Sequence, residues 1–128
     1  MVRLLGRSAL GAFAAAGLLA FAGSASADAN SGKTIFTAQC GVCHSATKGA
    51  GPKVGPNLFG VYGRVAGTGA GFSYSPAMKT AGLTWDSDAL TAYLRSPSAK
   101  IRGNRMPFAG LSKPGQAEDV AAYLKTLK

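Results

Sequence analysis

The sequence predicts a small all-α protein of one domain, with long connections between short helices. Three observations lead to this prediction. The chain has 128 residues, which is enough for one ordinary domain and too few for a second core. Apolar residues recur at helical spacing near both ends of the chain, and no segment alternates polar and apolar residues as a half-buried strand would. The 18 glycines and 6 prolines are typical of many turns.

The composition narrows the classes of function. Hydrophobic residues make up 47% of the chain and charged residues 15%, so the chain is too apolar to be intrinsically disordered. The formal net charge is +9, which favours acidic rather than basic partners. The basic residues are dispersed, and neither a helix-turn-helix nor an aromatic stacking platform is visible, so we expect no nucleic-acid binding.

The first 27 residues are predicted to be a secretory signal peptide rather than part of the fold. Arg3 and Arg7 precede an uncharged stretch that ends in Ala25-Ser26-Ala27, the order of charge, apolar segment and small residues that such signals have. We expect cleavage after Ala27, a single folded domain over residues 28–128, and a periplasmic location. The alternative is an uncleaved membrane anchor, since residues 8–27 could just span a bilayer, but their alanine, glycine and serine content makes the span weak.

The first predicted helix is followed by a long region of loops. Asn30 or Ser31 is expected to cap a short helix on which Phe36 and Cys40 share a face. In residues 49–72 glycine and proline are too frequent for a sustained helix or strand, so we predict packed loops there.

Two later helices are predicted from capping residues and apolar stripes. Asp86 or Ser87 is the expected cap of the first, and Pro97 stops it. Its apolar face consists of Leu90, Tyr93 and Leu94. The last helix runs over about residues 114–126 with Ser112 as its expected cap. Its apolar stripe consists of Val120, Tyr123, Leu124 and Leu127.

The segment Cys40-Gly41-Val42-Cys43-His44 matches C-x-x-C-H, the attachment signal for c-type haem. Two thiols at this spacing can form thioethers with the two vinyl groups of the porphyrin, and the adjacent imidazole of His44 then reaches the iron. We therefore predict one haem c, attached covalently through Cys40 and Cys43.

Three other uses of the cysteine pair are less consistent with the sequence. A thioredoxin-like redox pair belongs at the start of a helix in a βαβ unit, and the chain shows no strand pattern. A zinc site would need a fourth ligand beside both cysteines and the one histidine, with no spacing to support it. A simple disulfide across C-x-x-C would be strained and would leave His44 unexplained.

The second axial position of the iron has two candidate thioether ligands, because the chain contains no second histidine. Met78 lies in a predicted short helical turn, residues 75–79, where a methionine commonly serves only packing. Met106 lies in an extended stretch, residues 103–108, that can pass across a face of the haem. From these residues we favour Met106 and keep Met78 as the alternative.

The chain after residue 27 resembles the class I c-type cytochromes, in particular the mitochondrial cytochrome c group and its small bacterial relatives. Besides C-x-x-C-H, the matching segments are Gly32-Lys33-x-Ile35-Phe36, Gly55-Pro56-Asn57-Leu58, Tyr62-Gly63-Arg64, Gly71-Phe72-Ser73-Tyr74, Trp85, Tyr93-Leu94, Met106 and Ala122-Tyr123-Leu124-Lys125. The resemblance implies a cytochrome c fold, with crossing first and last helices, short middle helices, and loops around the haem. It also implies that His44 and Met106 are the iron ligands.

The resemblance implies supporting roles for residues near both ligands. Pro56 would accept a hydrogen bond from the His44 ring through its carbonyl oxygen, which orients the imidazole. Tyr93 and Asn104 would lie near the sulfur of Met106.

The resemblance also implies which residues surround the rest of the haem. Arg64, Tyr74 and Trp85 would neutralise or hydrogen-bond the propionates, and Phe108 would cover the haem edge. The helix crossing would be formed by Gly32, Phe36, Val120 and Tyr123.

The function implied by the resemblance is that of a soluble one-electron carrier and not of an enzyme. Such a monomer would dock on acidic faces of membrane redox complexes: a quinol-oxidising cytochrome bc complex, a terminal oxidase or a photosynthetic reaction centre. Lys53, Arg102 and Arg105 are the expected docking cations. The alternative is a haem peroxidase or gas-binding cytochrome with an open sixth coordination position, for which the chain has no distal histidine.

Departures from the family pattern concern a loop, the haem surroundings and the docking face. Pro52 stands where many relatives have a loop histidine, and Met78 where an asparagine near the haem is common. Thr34, Gln39 and Ser98 are uncharged at positions where vertebrate members carry lysines. We therefore expect a docking face with fewer charges than the net charge suggests.

Overall fold

The protein, described here by a computed structural model over Gly17 and residues 25–128, is helical, as predicted for its fold class. The helices of this part of the chain are α1 (Ala29–Gln39), α2 (Pro76–Lys79), α3 (Ser87–Arg95), α4 (Pro97–Lys100) and α5 (Gln116–Lys125). None of these helices is long and apolar enough to cross a membrane. Of the predicted signal peptide, all but Gly17 and residues 25–27 lies outside the described residues.

Helix α1 begins earlier than predicted. Its cap is Asp28, and the prediction of Asn30 or Ser31 is wrong. The Asp28 carboxylate accepts hydrogen bonds from the backbone N–H of Asn30 at 2.9 Å and from the hydroxyl of Ser31 at 2.8 Å, so it satisfies a donor of the first turn. At the other end, the N–H of Cys40 bonds to the carbonyl oxygen of Phe36 at 2.8 Å. The C-x-x-C-H motif therefore begins directly at the C-terminal end of this helix.

Helices α1 and α5 cross at Gly32. This position has no room for a side chain, because a Cβ atom there would overlap the backbone carbonyl group of Asp119 on α5. Beside the crossing, the rings of Phe36 and Tyr123 pack with their centroids 5.4 Å apart, and Val120 is fully buried. The two ends of the folded part are thereby held together, and the connections between them enclose the core.

Helix α3 follows the predicted capping pattern. The carboxylate of Asp86 accepts the N–H of Ala89 at 2.8 Å, and the helix ends at Arg95. Its buried residues are Leu90, Tyr93 and Leu94. Pro97 follows the end of this helix and is also the first residue of α4. Helix α4 is a single turn that we did not predict. Proline suits this position because its missing N–H would have no helical partner there.

Helix α5 begins at Gln116 without a side-chain cap, so the predicted cap at Ser112 is wrong. The residue before the helix is Gly115, whose φ of 81° lies in the left-handed region that glycine adopts readily. The predicted stripe faces the core, with Val120 and Leu124 buried and with Tyr123 and Leu127 partly buried.

Residues 49–72 contain no helix, as predicted, and backbone hydrogen bonds tie them to the segment before α3. The N–H of Gly63 donates to the carbonyl oxygen of Trp85 at 2.8 Å, and the N–H of Trp85 donates to that of Arg64 at 2.9 Å. An isolated antiparallel bridge joins Val65 to Thr84 nearby. These bonds hold Arg64 and Trp85 side by side.

Candidate haem-binding site

A cavity of about 320 Å³ lies between α1, α3, α5 and the loops, and its walls are largely apolar. A volume of this size is typical of a site for a small molecule or cofactor. Nine of the ten predicted cofactor-binding residues border it: Cys40, Cys43, His44, Pro56, Arg64, Tyr74, Trp85, Tyr93 and Met106. The tenth, Asn104, does not border the cavity but contacts two residues that do.

The C-x-x-C-H motif forms a tight turn directly after α1. The N–H groups of Cys43 and His44 both donate to the carbonyl oxygen of Cys40, at 3.0 and 2.9 Å. The turn brings both cysteines to the cavity wall, and neither forms a disulfide. Burial, and to a smaller extent the neighbouring Cys43, raises the pKa of the Cys40 thiol to about 11. Both thiols thus lie where thioether bonds to a ligand in the cavity can form.

The ring of His44 is held in one orientation by the loop that contains Pro56. Its Nδ1 atom lies 2.7 Å from the carbonyl oxygen of Pro56, and since a carbonyl can only accept, Nδ1 carries the proton. Gly55 permits this approach, because a Cβ atom there would overlap the ring. Burial lowers the pKa of His44, the bond to Pro56 opposes this shift, and the charge of Lys53 adds to it. The ring is therefore neutral with Nε2 unprotonated, the form that binds a metal.

Met106 borders the cavity from the extended segment after α4. The hydroxyl of Tyr93 lies 4.0 Å from Met106 Sδ and 3.4 Å from Asn104 Oδ1. Asn104 accepts the backbone N–H of Met106 at 3.0 Å and donates its amide to the carbonyl oxygen of Ile101 at 2.9 Å. Burial raises the pKa of Tyr93 to about 12, so its hydroxyl remains a donor. The Asn104 side chain thus fixes the loop that presents the Met106 thioether.

Two polar side chains, those of Arg64 and Tyr74, converge beside the cavity at Gly69. A Cβ atom on Gly69 would overlap the Tyr74 hydroxyl and lie 3.0 Å from a guanidinium nitrogen of Arg64. Trp85 is buried, and its ring packs on that of Tyr93 with centroids 5.0 Å apart. A guanidinium and a hydroxyl so close together can bind a carboxylate.

The structure adds residues that sequence reasoning missed or left open. The close approach of Gly55 to His44 was missed, although its place directly before Pro56 was a possible signal. Val42 and Val54 border the cavity while remaining 75% and 71% exposed. Met78 borders the same cavity as Met106, so the cavity lining alone does not distinguish the two candidate ligands.

Comparison with known proteins identifies the family. The model of the cytochrome c family matches residues 29–128. The chain belongs to the cytochrome c family. Cytochrome c from Chlamydomonas reinhardtii is 50% identical over 105 residues, which cover 82% of this chain and 94% of that protein. Cytochrome c from Guizotia abyssinica is 47% identical over the same length, with 82% and 95% covered. Among solved structures, cytochrome cH from Methylobacterium extorquens has a TM-score of 0.71 at 42% identity and covers 77% of this chain and 98% of its own.

Family membership confirms the predicted fold, cofactor and class of function. This cytochrome c carries one covalent c-type haem with its iron and is an electron-transfer protein rather than an enzyme. The cavity fits that group, because two cysteines outside any disulfide, an imidazole fixed through Nδ1 and apolar walls meet in it. The roles of the individual site residues and the periplasmic location remain predictions, and the two cytochromes c compared above are eukaryotic.

Proposed function

We propose that this cytochrome c is an exported one-electron carrier whose iron is ligated by His44 and Met106. The observation that carries the proposal is that two cysteines outside any disulfide, an imidazole fixed through Nδ1 and a methionine beside the Tyr93 hydroxyl all border one apolar cavity. When bound, the haem supplies an Fe(III)/Fe(II) couple, and ligation by histidine and methionine raises its reduction potential.

The role of His44 is to present Nε2 as a fixed, neutral ligand. Its Nδ1–H bond to the carbonyl oxygen of Pro56 orients the ring and makes Nε2 a stronger base. Because the close backbone of Gly55 leaves the ring little freedom, the ligand needs little rearrangement between the two oxidation states.

The role of Met106 is to supply the second axial ligand from a loop that is fixed in advance. Asn104 holds the backbone of Met106, and the Tyr93 hydroxyl is near enough to interact with its sulfur. A donor at the thioether withdraws electron density from it, which favours the reduced state. Met78 has no such partner among the described contacts, and this difference favours Met106 as the ligand.

The proposed roles of Arg64, Tyr74 and Trp85 concern the two propionates of the haem. Carboxylates beside an apolar cavity need donors, since a buried charge without a partner is costly. The Arg64 guanidinium and the Tyr74 hydroxyl converge beside the cavity, and Trp85 offers an indole N–H from the adjacent segment.

The partner we propose is a membrane redox complex with an acidic docking face, such as a quinol-oxidising cytochrome bc complex, a terminal oxidase or a photosynthetic reaction centre. Among the described residues that border the cavity none is acidic, whereas Arg64 and Arg105 are basic. Asp88 and Glu118 line a separate groove between α3 and α5, where Arg95 and Lys125 offset their charge. The basic residues at the cavity would orient it towards an acidic surface as the two proteins approach.

The docking proposal is tested by the ionic-strength dependence of electron transfer to a purified terminal oxidase. We expect the second-order rate constant to fall as salt is added, and to fall less steeply in Arg105→Gln than in Lys128→Gln, a charge-matched control at the end of the chain. A rate constant that does not depend on salt would contradict electrostatic docking.

The proposal of export rests on the signal-like sequence of residues 1–27 and on the position of the first helix cap. Residues 25–27 are exposed, and α1 begins directly after Asp28. Cleavage after Ala27 would leave the capping carboxylate of Asp28 in place and remove no part of the helix.

Mass spectrometry and a pyridine haemochrome spectrum of the protein isolated after expression in bacteria test processing and haem content together. We expect a mass equal to residues 28–128 plus one haem. A holoprotein that keeps residues 1–27 would contradict cleavage alone. A processed holoprotein whose ferric spectrum, recorded before pyridine is added, is high-spin would instead support a peroxidase or gas-binding protein.

A further inference from the structure

The side chain of Lys53 reaches back to the haem-attachment motif. Its ammonium nitrogen donates to the carbonyl oxygen of Gly41 at 2.5 Å, across 12 residues of chain. Gly41 directly follows Cys40, so this contact lies within C-x-x-C-H itself. From the sequence we expected Lys53 to be a docking cation, and an ammonium group bonded to its own chain is less free for that role.

The Lys53 contact is one of three bonds between the same two segments. The N–H of Gly55 donates to the carbonyl oxygen of Cys43 at 2.8 Å, and Nδ1 of His44 donates to that of Pro56 at 2.7 Å. The turn that carries Lys53 is closed by its own N–H, which donates to the carbonyl oxygen of Gly55 at 3.0 Å. The three bonds therefore join the loop of residues 53–56 to the attachment motif at Gly41, at Cys43 and at His44.

The ammonium group of Lys53 is also held close to His44. The carbonyl oxygen of Gly41 fixes it within the tight turn that contains His44, and the loop that carries Lys53 contacts the His44 ring through the carbonyl oxygen of Pro56. A cation held near an iron ligand opposes any further positive charge there, and the oxidised site carries one more positive charge than the reduced site.

We propose that Lys53 is a positioning residue for His44. Lys53 fastens the attachment motif to the loop of residues 53–56, and its charge raises the reduction potential of the haem. The proposal rests on His44 being an axial ligand. It assigns to the Lys53 charge an effect on the redox equilibrium that is separate from any contact with a partner protein.

The test compares three variants of the holoprotein: Lys53→Gln, Lys53→Arg and Lys48→Gln. Lys48 is exposed and lies four residues after His44, so its variant removes one nearby charge without breaking the contact with Gly41. The readouts are the reduction potential, amide hydrogen exchange of Gly55 in the reduced protein, and the salt dependence of oxidation by ferricyanide, a small anionic probe.

In Lys53→Gln we expect the Fe(III)/Fe(II) ratio at fixed potential to rise about threefold relative to Lys48→Gln, which is about 28 mV for a one-electron couple. We expect Gly55 exchange to accelerate about fivefold, because the neighbouring bonds open more often. Lys53→Arg keeps the charge and should restore most of the potential. The salt dependence should change no more than in Lys48→Gln.

Two results would overturn the proposal. One is a potential and a Gly55 exchange rate equal to those of Lys48→Gln. The other is an unchanged potential combined with a much flatter salt dependence, which would make Lys53 a docking residue. Failure of the proposed ligation is detected separately, because the wild-type ferric spectrum would then lack the signature of a His/Met site.

Discussion

The Nδ1 atom of His44 lies 2.7 Å from the carbonyl oxygen of Pro56, and the backbone of Gly55 passes directly against the same ring. The hydrogen bond determines which nitrogen carries the proton, and the close packing limits rotation of the ring. A backbone carbonyl provides the acceptor, so the orientation of His44 depends on the path of the loop more than on the side chain of Pro56.

Gly55→Ala should destabilise the protein by about 1–3 kcal/mol, because the added methyl group overlaps the His44 ring and forces the loop to move. Denaturant unfolding of the holoprotein measures this loss. Gly51→Ala is the control, since a Cβ atom at Gly51 meets nothing within 4 Å. Equal unfolding free energies for the two variants would show that the Gly55 backbone does not confine the ring.

Gly32→Ala should cost about 2–3 kcal/mol of stability, although alanine is the better helix former. The reason is the overlap with the Asp119 carbonyl group, which would push α1 away from α5. Thermal or denaturant unfolding measures the effect. Thr34→Ala changes an exposed position of the same helix and should leave stability nearly unchanged or slightly raised. If Gly32→Ala were as stable as that control, the helices would not be in close contact at this point.

Tyr93→Phe should lower the reduction potential, because it removes the hydroxyl 4.0 Å from Met106 Sδ. The net contribution of one hydrogen bond is about 1 kcal/mol, which sets the upper limit of the effect. We expect the Fe(III)/Fe(II) ratio at fixed potential to rise about threefold. Spectroelectrochemical titration measures it. Tyr123→Phe, at the helix crossing, is the control, and an equal shift in both variants would contradict a specific interaction with Met106.

Asp28→Ala should reduce stability at neutral pH and make little difference in strong acid. Hydrogen bonds from the Ser31 hydroxyl and the Asn30 N–H lower the pKa of the Asp28 carboxyl in the folded state from its ordinary value of 3.8. Its contribution is therefore present above that value and is lost as the pH falls through the lower folded pKa.

Urea unfolding at a series of pH values from neutral downwards measures the contribution of Asp28. Asp28→Asn is the control, because asparagine is also a good helix cap but does not titrate. The Asp28→Asn variant should keep most of the stability of the wild type and lose the pH dependence that comes from titration of the Asp28 carboxyl. A wild-type to Asp28→Ala difference that is constant over the whole pH range would contradict the assigned role of the carboxylate.

Features that depend on short stretches of sequence could be predicted well. The spacing of Cys40, Cys43 and His44 is a chemical requirement that the fold does not alter, and the Asp86 cap is followed by a clear apolar face on α3. The family resemblance added Pro56, Arg64, Tyr74, Trp85 and Tyr93, which local patterns do not relate to one another.

The features that sequence reasoning missed arise from competition between neighbours or from contacts distant along the chain. Asp28, Asn30 and Ser31 can all cap a helix, and Asp28 prevails because its carboxylate accepts from both of the others. At the start of α5 a left-handed Gly115 replaces the expected Ser112 cap. The bond from Lys53 to Gly41 and the confinement of His44 by Gly55 exist only once the loops have folded.

The central claim is that Met106, and not Met78, completes the coordination of a haem already bound through His44. The ferric absorption spectrum of the purified holoprotein and of two variants, Met106→Ala and Met78→Ala, tests it most directly. We predict that the wild type and Met78→Ala show the near-infrared sulfur-to-iron charge-transfer band, and that Met106→Ala loses the band and becomes high-spin. A band that persists in Met106→Ala, or that disappears in Met78→Ala, would contradict the claim.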